Sequence, residues 1–316
     1  MIENFVQLSV IIPAFNASST IARLLEHLQH QNISPASYEV IVIDDGSADE
    51  TPSIVGRFPD VQFFNQVHAG PGTARMTGVR QAKGDFFLFL DSDLDVSGDL
   101  LKRHLDFHLE NPAVDATGGS VLPVGNPPLF SWALADYFST WFNAHPGTVY
   151  SKPPEYLPSL NFCVKRRVFE NSQIKWDAGF KHTGEDVLFC RAMRLSGMKL
   201  VFLPQAVVMH QDRSTLKDYW LHMYRYGHHA PFVRGEFADL EYNFLFQKNL
   251  LALILTLPII ILGYTFLIWF AWRRTKLVAV TLMLPLILLG RLAYACGVVS
   301  GTLAQNKKVK DTAVNH

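Results

Sequence analysis

Two aspartates one residue apart, Asp91 and Asp93, stand directly behind the apolar run FFLFL. Carboxylates so spaced on a turn can approach one hard cation. Magnesium or manganese in such a site takes one or two carboxylates, and water or phosphate oxygens complete the shell. DSDLD also matches the opening of a calcium-binding helix–loop–helix, whose loop needs Gly at its sixth position and Glu at its twelfth. This chain has Val96 and Lys102 there and a strand-like run in front, so the calcium reading fails. Asp95 reads as a helix cap or as a residue behind the ligands.

Other polar groups stand at comparable places. Asp44-Asp45-Gly46-Ser47 stops the apolar run Tyr38–Ile43. A carboxylate pair there suits a ribose hydroxyl or a base N–H, because it accepts hydrogen bonds without supplying positive charge. A solvated Asp-Gly turn is the plainer reading. Gly70-Pro71-Gly72 opens a helix carrying Arg75, and backbone N–H groups at that end could hold a phosphate. The GPG triplet matches neither the dinucleotide fingerprint nor the P-loop. Gly184-Glu185-Asp186 begins a later helix, where adjacent carboxylates are ordinary capping chemistry. Facing a cleft, a carboxylate there could serve as general base for a hydroxyl. His210 ends an apolar strand, as a structural histidine or as a further ligand to the cation.

The elements that must position these groups alternate in type. Leu8–Pro13 is a short apolar run, and Ser18 and Ser19 can cap a helix carrying Ile21, Leu24, Leu25 and Leu28 at helical spacing. Val61–Phe64 and Phe86–Leu90 read as further strands, with a helix from about Gly72 to Lys83 between them. This order with nearly all-apolar strands predicts an α/β domain with a mostly parallel sheet covered on both faces. Pro13–Asn16, Asp44–Ser47 and Asp91–Asp93 would then share the sheet edge where ligands bind. From Leu122 to Leu160 the pattern dissolves into Pro, Gly and aromatic residues, a long irregular region of the kind that is often functional. Order returns with Asn161–Phe169, a helix from about Glu185 to Ser196, and strands near Lys199–Leu203 and Ala206–Met209. A last helix begins near Ser214 and carries Tyr219, Trp220, Tyr224, Arg225 and Tyr226.

Charged residues make up 18% of the chain, below the roughly 25% of an average soluble domain. The deficit lies at the end, where Leu250–Trp272 has no charge and Leu277–Gln305 has only Arg291. A bilayer core needs about 20 such residues, so both runs read as membrane helices. Three parts follow: residues 1–245 as the α/β domain, 246–306 as a membrane hairpin of two apolar helices, and 307–316 as a polar tail. Lys+Arg and Asp+Glu balance at 28 each, which gives no basic field for nucleic acid. Cys163, Cys190 and Cys296 are too few and scattered for a disulfide framework or a zinc site, which favours a reducing compartment. MIENFVQLSVIIP has no basic flank before its apolar run and does not read as a signal peptide.

Taken together and in order, five segments resemble the inverting family-2 glycosyltransferases of GT-A fold, over roughly residues 7–230. They are SVIIPAFN, VIVIDDGSADET, GPGTARMTGVRQAKGDFFLFLDSD, NFCVKRRVFE and GEDVLFCRAMRLSG. The resemblance implies that Pro13, Phe15 and Asp45 contact the nucleoside of a nucleotide-diphosphate sugar, with Asp44 close by. It places Arg75 near the base or diphosphate, Asp91 at ribose or metal, and Asp93 on a divalent cation, magnesium or manganese. His210 would complete the coordination, and Asp186 would deprotonate the acceptor hydroxyl, with inversion as the outcome. The implied acceptor is a lipid-linked saccharide or glycan in envelope polysaccharide or glycolipid assembly.

Processive synthases of the family carry Q-x-x-R-W. Arg225-Tyr226 with Leu221 or His222 upstream does not match, so addition of a single sugar is expected. A polyprenyl-phosphate sugar synthase is the alternative enzyme, and an inert nucleotide-binding membrane scaffold is the alternative of another class. Intact Asp91, Asp93 and Asp186 speak against the scaffold. A nucleotidyltransferase would need a basic loop near the first strand, and none is evident. Arg273, Arg274 and Lys276 between the apolar runs balance Lys307, Lys308 and Lys310 after them, so the positive-inside rule gives no bias. Because nucleotide sugars are cytosolic, the expectation is a hairpin in the inner or plasma membrane, with both ends and the catalytic domain on the cytoplasmic side. Arg291, which interrupts the second run, would lie near the cytoplasmic boundary and pair with a lipid-linked phosphate, or snorkel to headgroups.

Overall fold

A computed structural model describes residues 6–148, 150, 153–170, 174, 176, 184–235 and 237–314, with side chains up to Lys307. The side chains of Lys308 and Lys310, counted in the charge balance above, lie outside the described residues, as does the leading segment 1–5. The chain forms two compact units from interleaved segments. One comprises Met1–Leu122 and Ala144–His210, the other Pro123–Asn143 and Gln211–His316.

In the first unit the apolar runs become β1 (Leu8–Ala14), β2 (Tyr38–Asp44), β3 (Val61–Asn65) and β4 (Phe86–Leu90). The intervening helices are α1 (Ile21–Gln29), α2 (Thr51–Val55) and α3 (Pro71–Gln81). α1 buries Ile21, Leu24, Leu25 and Leu28, as its periodicity predicts. Its cap is Thr20, not Ser18 or Ser19, and no side-chain cap bond forms; the Thr20 hydroxyl donates to the Ala17 carbonyl. α3 lies close on β1. A Cβ at Gly78 would collide with the Ile11 side chain, and this close approach brings Arg75, one turn earlier, toward the strand ends.

The chain continues through β5 (Leu94–Val96), α4 (Leu100–Glu110), β6 (Ala116–Pro123), β7 (Asn161–Lys165), a short α6 (Arg167–Glu170), α7 (Glu185–Leu195) and β8 (Leu200–His210). Here α5 is the helix Trp132–Thr140, inside the stretch that reads as irregular and capped by Ser131 accepting from the Leu134 N–H. All eight strands form one sheet in the order β3-β2-β1-β4-β7-β6-β8-β5. β1 to β4 pair in parallel, whereas β7 runs antiparallel to both β4 and β6, and β5 antiparallel to β8. The sheet is therefore mixed, with its parallel half first. β7 arrives after the long 122–160 excursion and not through a short crossover helix, so nothing obliges it to run parallel. β8 is one strand where the pattern suggests two. Pro204 interrupts the apolar run, yet its carbonyl still accepts from Ser120 Oγ at 2.8 Å. Asp95 sits in β5 and pairs with Arg23, so it does not cap a helix.

Aromatic side chains pack over Phe89 of β4 in the core of this unit. Trp176 stacks on Phe189 at 4.3 Å between ring centres and meets Phe89 edge-on at 4.8 Å. This cluster backs the strand ends that carry the polar groups.

The second unit holds α5, α8 (Leu216–Val233), α9 (Leu250–Pro258), a π-turn (Ile259–Gly263) and α10 (Tyr264–Val314). α10 is two helices joined at Lys276, whose φ of −140° and ψ of 36° are not helical. Tyr264 and Tyr294 have ring centres 6.0 Å apart, although a straight helix would separate residues thirty apart by about 45 Å. The apolar tail is therefore a helical hairpin. Its second arm packs backbone to backbone on α8, since a Cβ at Gly297 or Gly301 would strike the Tyr224 or His228 carbonyl.

Candidate active site

Three strand ends meet on one edge of the first unit. β1 and β2 run in register to Ala14 and Asp44, and β4 flanks β1 with Phe89 opposite Ile11. Asp91 therefore leaves β4 beside the loop that follows β1. Pro13, opposite Ile43, is half-buried at that edge.

The loops after β1 and β2 are laced together. The Asn16 N–H donates to Ser47 Oγ at 2.8 Å, and Asn16 Oδ1 accepts from the Ala48 N–H at 2.9 Å. Asn16 itself has φ +50°, a left-handed conformation that Asn tolerates better than most residues. Asp44 is buried, its carboxylate accepting from the Ser47 N–H. Asp45 is equally buried and accepts from Gln66 Nε2 at 2.7 Å and from the Ala69 and Gly70 N–H groups at 2.9 and 2.8 Å. Its second oxygen lies 2.9 Å from His68 Nδ1. Asp45 thus clasps the 66–70 loop and sets where α3 begins. Phe15 is 48% exposed, and its ring lies 4.4 Å from that of His68. The two rings make an open aromatic face beside the Asp44–Asp45 turn. His68 was not singled out from the sequence, where its only signal is its place between β3 and the GPG turn.

Arg75 is 2% exposed and joins two parts of the edge. Nη2 donates to Asp91 Oδ1 at 2.7 Å and Nη1 to Glu185 Oε1 at 2.9 Å, with the guanidinium over the Trp176 ring at 5.2 Å. The resemblance places Arg75 near the base or diphosphate, and here its fork bridges two carboxylates. Glu185 was missed as a partner. Its signal was adjacency to Asp186 at the start of α7, which fits capping equally well.

α7 begins after Gly184, whose φ of +96° a side chain would strain. Glu185 points into the protein and Asp186 remains partly exposed. Burial, and then the negative charge of Glu185, push the Asp186 carboxyl up to about 7, with Arg75 pulling the other way. At neutral pH Asp186 is therefore poised between acid and base.

The pairing of β5 with β8 sets Leu94 opposite His210. His210 Nε2 consequently lies 3.6 Å from Asp93 Oδ2, a carboxylate 31% exposed. The structure brings Asp93 and His210 together, while Asp91, two residues earlier, holds Arg75. No group of three or more His, Cys, Asp or Glu side chains among the described residues closes around a metal position. A partly exposed carboxylate and a buried imidazole, with Asp91 beside them, fit a hard divalent cation that draws its remaining ligands from a diphosphate and water.

Residues 9–173 match the family described as Glycosyl transferase family 2. The chain is 30% identical over 228 residues to the pre-mycofactocin glycosyltransferase of Mycobacterium tuberculosis (strain CDC 1551 / Oshkosh), covering 69% of this chain and 46% of that protein. It is 25% identical to the dolichyl N-acetyl-alpha-D-glucosaminyl phosphate 3-beta-D-2,3-diacetamido-2,3-dideoxy-beta-D-glucuronosyltransferase of Methanococcus voltae, over 80% of this chain and 82% of that one. The mannosyltransferase PcManGT from Pyrobaculum calidifontis, solved with GDP-Man and Mn2+, superposes with a TM-score of 0.62 at 17% identity. That match covers 93% of this chain and 86% of the other, and at such identity it shows the fold alone. The chain spans about half the length of several curated relatives that it matches.

Proposed function

The chain belongs to glycosyl transferase family 2, and from that premise we propose that it moves a single sugar from a nucleoside-diphosphate donor to a hydroxyl of a lipid-linked saccharide at a membrane surface. The observation that carries this reading is the Arg75 fork. It ties Asp91, beside Asp93 and His210, to Glu185, beside Asp186, so the cation ligands and the base share one wall.

The donor base lies against the Phe15–His68 face, where two exposed rings offer a stacking surface next to the Asp44–Asp45 turn. Asp93 and His210, with Asp91 alongside, would hold magnesium or manganese. A divalent cation held by them would supply positive charge to the departing diphosphate. Asp186 accepts the proton of the acceptor hydroxyl as its oxygen bonds to the anomeric carbon and the carbon–phosphate oxygen bond breaks. A carboxyl near 7 suits that task, because it is partly ionised at neutral pH yet basic enough to take a proton. Inversion at the anomeric carbon follows from the family's chemistry.

The membrane assignment is supported by the hairpin. Leu251, Leu255, Ile259, Leu262, Phe266 and Phe270 recur every three or four residues and are about half exposed or more. An uninterrupted apolar stripe of that length calls for a bilayer or a partner. The stripe enters the membrane and the catalytic unit faces the cytoplasm, where nucleotide sugars are made. The relative from Methanococcus voltae bears a name describing a dolichyl-linked substrate, which supports a lipid-linked acceptor here.

The test is a panel of nucleotide sugars offered to the purified chain with lipid-linked saccharides extracted from membranes, products read by mass spectrometry with and without chelator. Metal-dependent gain of one sugar on a saccharide lipid is expected. Transfer to a bare polyprenyl phosphate alone, or no donor binding at all, would overturn the assignment.

A further inference from the structure

The second unit holds a cleft that nothing above uses. It measures about 240 Å³ and lies between the stretch 123–133 and the segment 211–214. Both walls continue strands: Pro123 closes β6, and Gln211 follows the last residue of β8. Those two strands run parallel, since the Ala116 N–H donates to the Lys199 carbonyl and Ser120 Oγ to that of Pro204. Their carboxyl ends therefore share one edge, the kind at which α/β sheets take ligands.

The lining has the chemistry of a carbohydrate seat. Asp212 is buried, and Trp141 Nε1 donates to its Oδ1 at 3.1 Å, which pins the carboxylate at the cleft wall. An ionised carboxylate is a strong acceptor for hydroxyl groups. Gln211 and Ser214 are exposed and bring an amide and a hydroxyl that both donate and accept. Ser131 Oγ accepts from the Leu134 N–H and keeps its own proton to donate. Pro123, Pro127 and Pro128 complete the walls with rigid C–H surfaces that carry no backbone donor. Among the described residues no Lys, Arg or His lines the cleft, so a phosphate would meet Asp212 with no cation to hold it. The volume is below the roughly 300 Å³ at which pockets for drug-sized ligands begin, which suits a single sugar ring.

A second observation marks the lip of the cleft. Phe130, between Pro128 and Ser131, is 60% exposed and has φ +61°. A bulky side chain in the left-handed region is strained, and such strain clusters at ligand clamps. The Phe130 N–H donates to the Met283 thioether at 3.2 Å, which helps to hold the turn. An exposed ring there offers its electron-rich face to the C–H groups of a pyranose. We propose that this cleft seats one neutral sugar of the acceptor, with Asp212 and Gln211 reading its hydroxyls and Phe130 packing on its C–H face. The inference rests on the acceptor reading above and narrows it: the chain recognises the saccharide as well as the lipid that carries it.

The experiment offers the full chain, in nanodiscs and without donor, the methyl glycosides of glucose, galactose, mannose and N-acetylglucosamine. Methyl glucuronide, methyl glucosaminide, inorganic phosphate and saccharides released by mild acid from extracted lipid-linked pools complete the panel. Affinities are read by saturation-transfer NMR titration. At least one neutral saccharide should bind, with glucuronide and phosphate about tenfold weaker or more. Gln211→Ala, at an exposed position, and Asp212→Asn should each weaken the bound sugar about tenfold, equivalent to about 1.4 kcal/mol. Phe130→Gly should weaken it without lowering the melting temperature, because glycine adopts that φ freely. Gln211→Ala and Phe130→Gly decide the matter if Asp212→Asn does not fold. The proposal is overturned if no saccharide of the panel binds, if the variants bind it as the wild type does, or if phosphate or glucuronide binds equally tightly. Preference for the cationic glucosaminide over the neutral sugars would make the cleft a cation seat and overturn it too. Titration of the wild-type discs with nucleotide sugars tests the glycosyltransferase reading separately. Donor binding without saccharide binding sinks the cleft alone, and saccharide binding without donor binding sinks the transferase.

Discussion

The Arg75 guanidinium meets the Glu185 carboxylate at 2.9 Å, joining residues 110 positions apart in the chain. Through its other nitrogen it holds Asp91, so a single buried side chain fixes the distance between the two chemical ends of the site.

Removing that link should be felt as stability first. Breaking a buried pair by deleting one partner costs about 3–5 kcal/mol, because the surviving charge stays buried. Arg75→Met should therefore lower the unfolding free energy of the first unit, read from a denaturant titration, by about 3–5 kcal/mol. Glu185→Gln removes the negative charge that helps hold Asp186 near 7, so the acid limb of its transfer rate should move to lower pH. An unmoved limb would show that Glu185 does not tune the base.

For the wild type, the active form of Asp186 is the carboxylate. Transfer should therefore rise with pH through about 7 and level off above it. Asp186→Asn should bind donor normally yet transfer about 10²–10⁴ times more slowly, the usual scope of general-base catalysis. Were Asp186 only a helix cap, Asn would serve almost as well, and the rate would be unchanged.

Asp93→Asn removes a hard anionic ligand from a turn without touching the core. Turnover should be abolished, excess manganese should restore it poorly, and the melting temperature should hold. Near-normal activity of this variant in the presence of chelator would reject the cation site.

A buried histidine pair predicts acid sensitivity. His104 Nδ1 and His108 Nε2 both meet Thr117 Oγ1, at 2.8 and 3.1 Å, and His104 Nε2 reaches Asn161 Oδ1 at 3.0 Å. Burial holds His104 down at about 4 and His108 at about 3, against 6.5 when free. As pH falls below 6.5 the unfolded chain takes up protons that the folded network refuses. Stability should drop by up to about 1.4 kcal/mol per histidine per pH unit until about pH 4. Hydrogen exchange in β6 and β7 at pH 7 and pH 5 would measure it, and equal protection at both would count against the network.

The same histidines explain one gap in the sequence reading. α4 buries Leu100, Leu101, His104, Leu105 and His108 on one face, so two polar letters occupy its core stripe and hide the helical period. β5 is three residues long and β6 carries Gly118 and Gly119, too little pattern for either to register. β1 to β4 and α1 were legible because each buries an unbroken apolar set whose spacing matches its own geometry.

The sequence by itself determined the local rules: apolar strands ending in Asp or turn residues, a helix opened by Gly70 and Pro71, a long uncharged tail, and the segments that resemble one enzyme family. Those depend on neighbours within a few residues, where propensity and periodicity act. Only the tertiary structure decided which charges meet. Asp93 faces His210 because β5 pairs with β8, and Arg75 finds Glu185 because α3 lies close on β1 while α7 starts at the same edge. A carboxylate in a turn has the same letter whether it binds a cation, clasps a loop as Asp45 does, or anchors an arginine. Its role is set by what the fold places within 3 to 4 Å of it, and by how much water that fold removes.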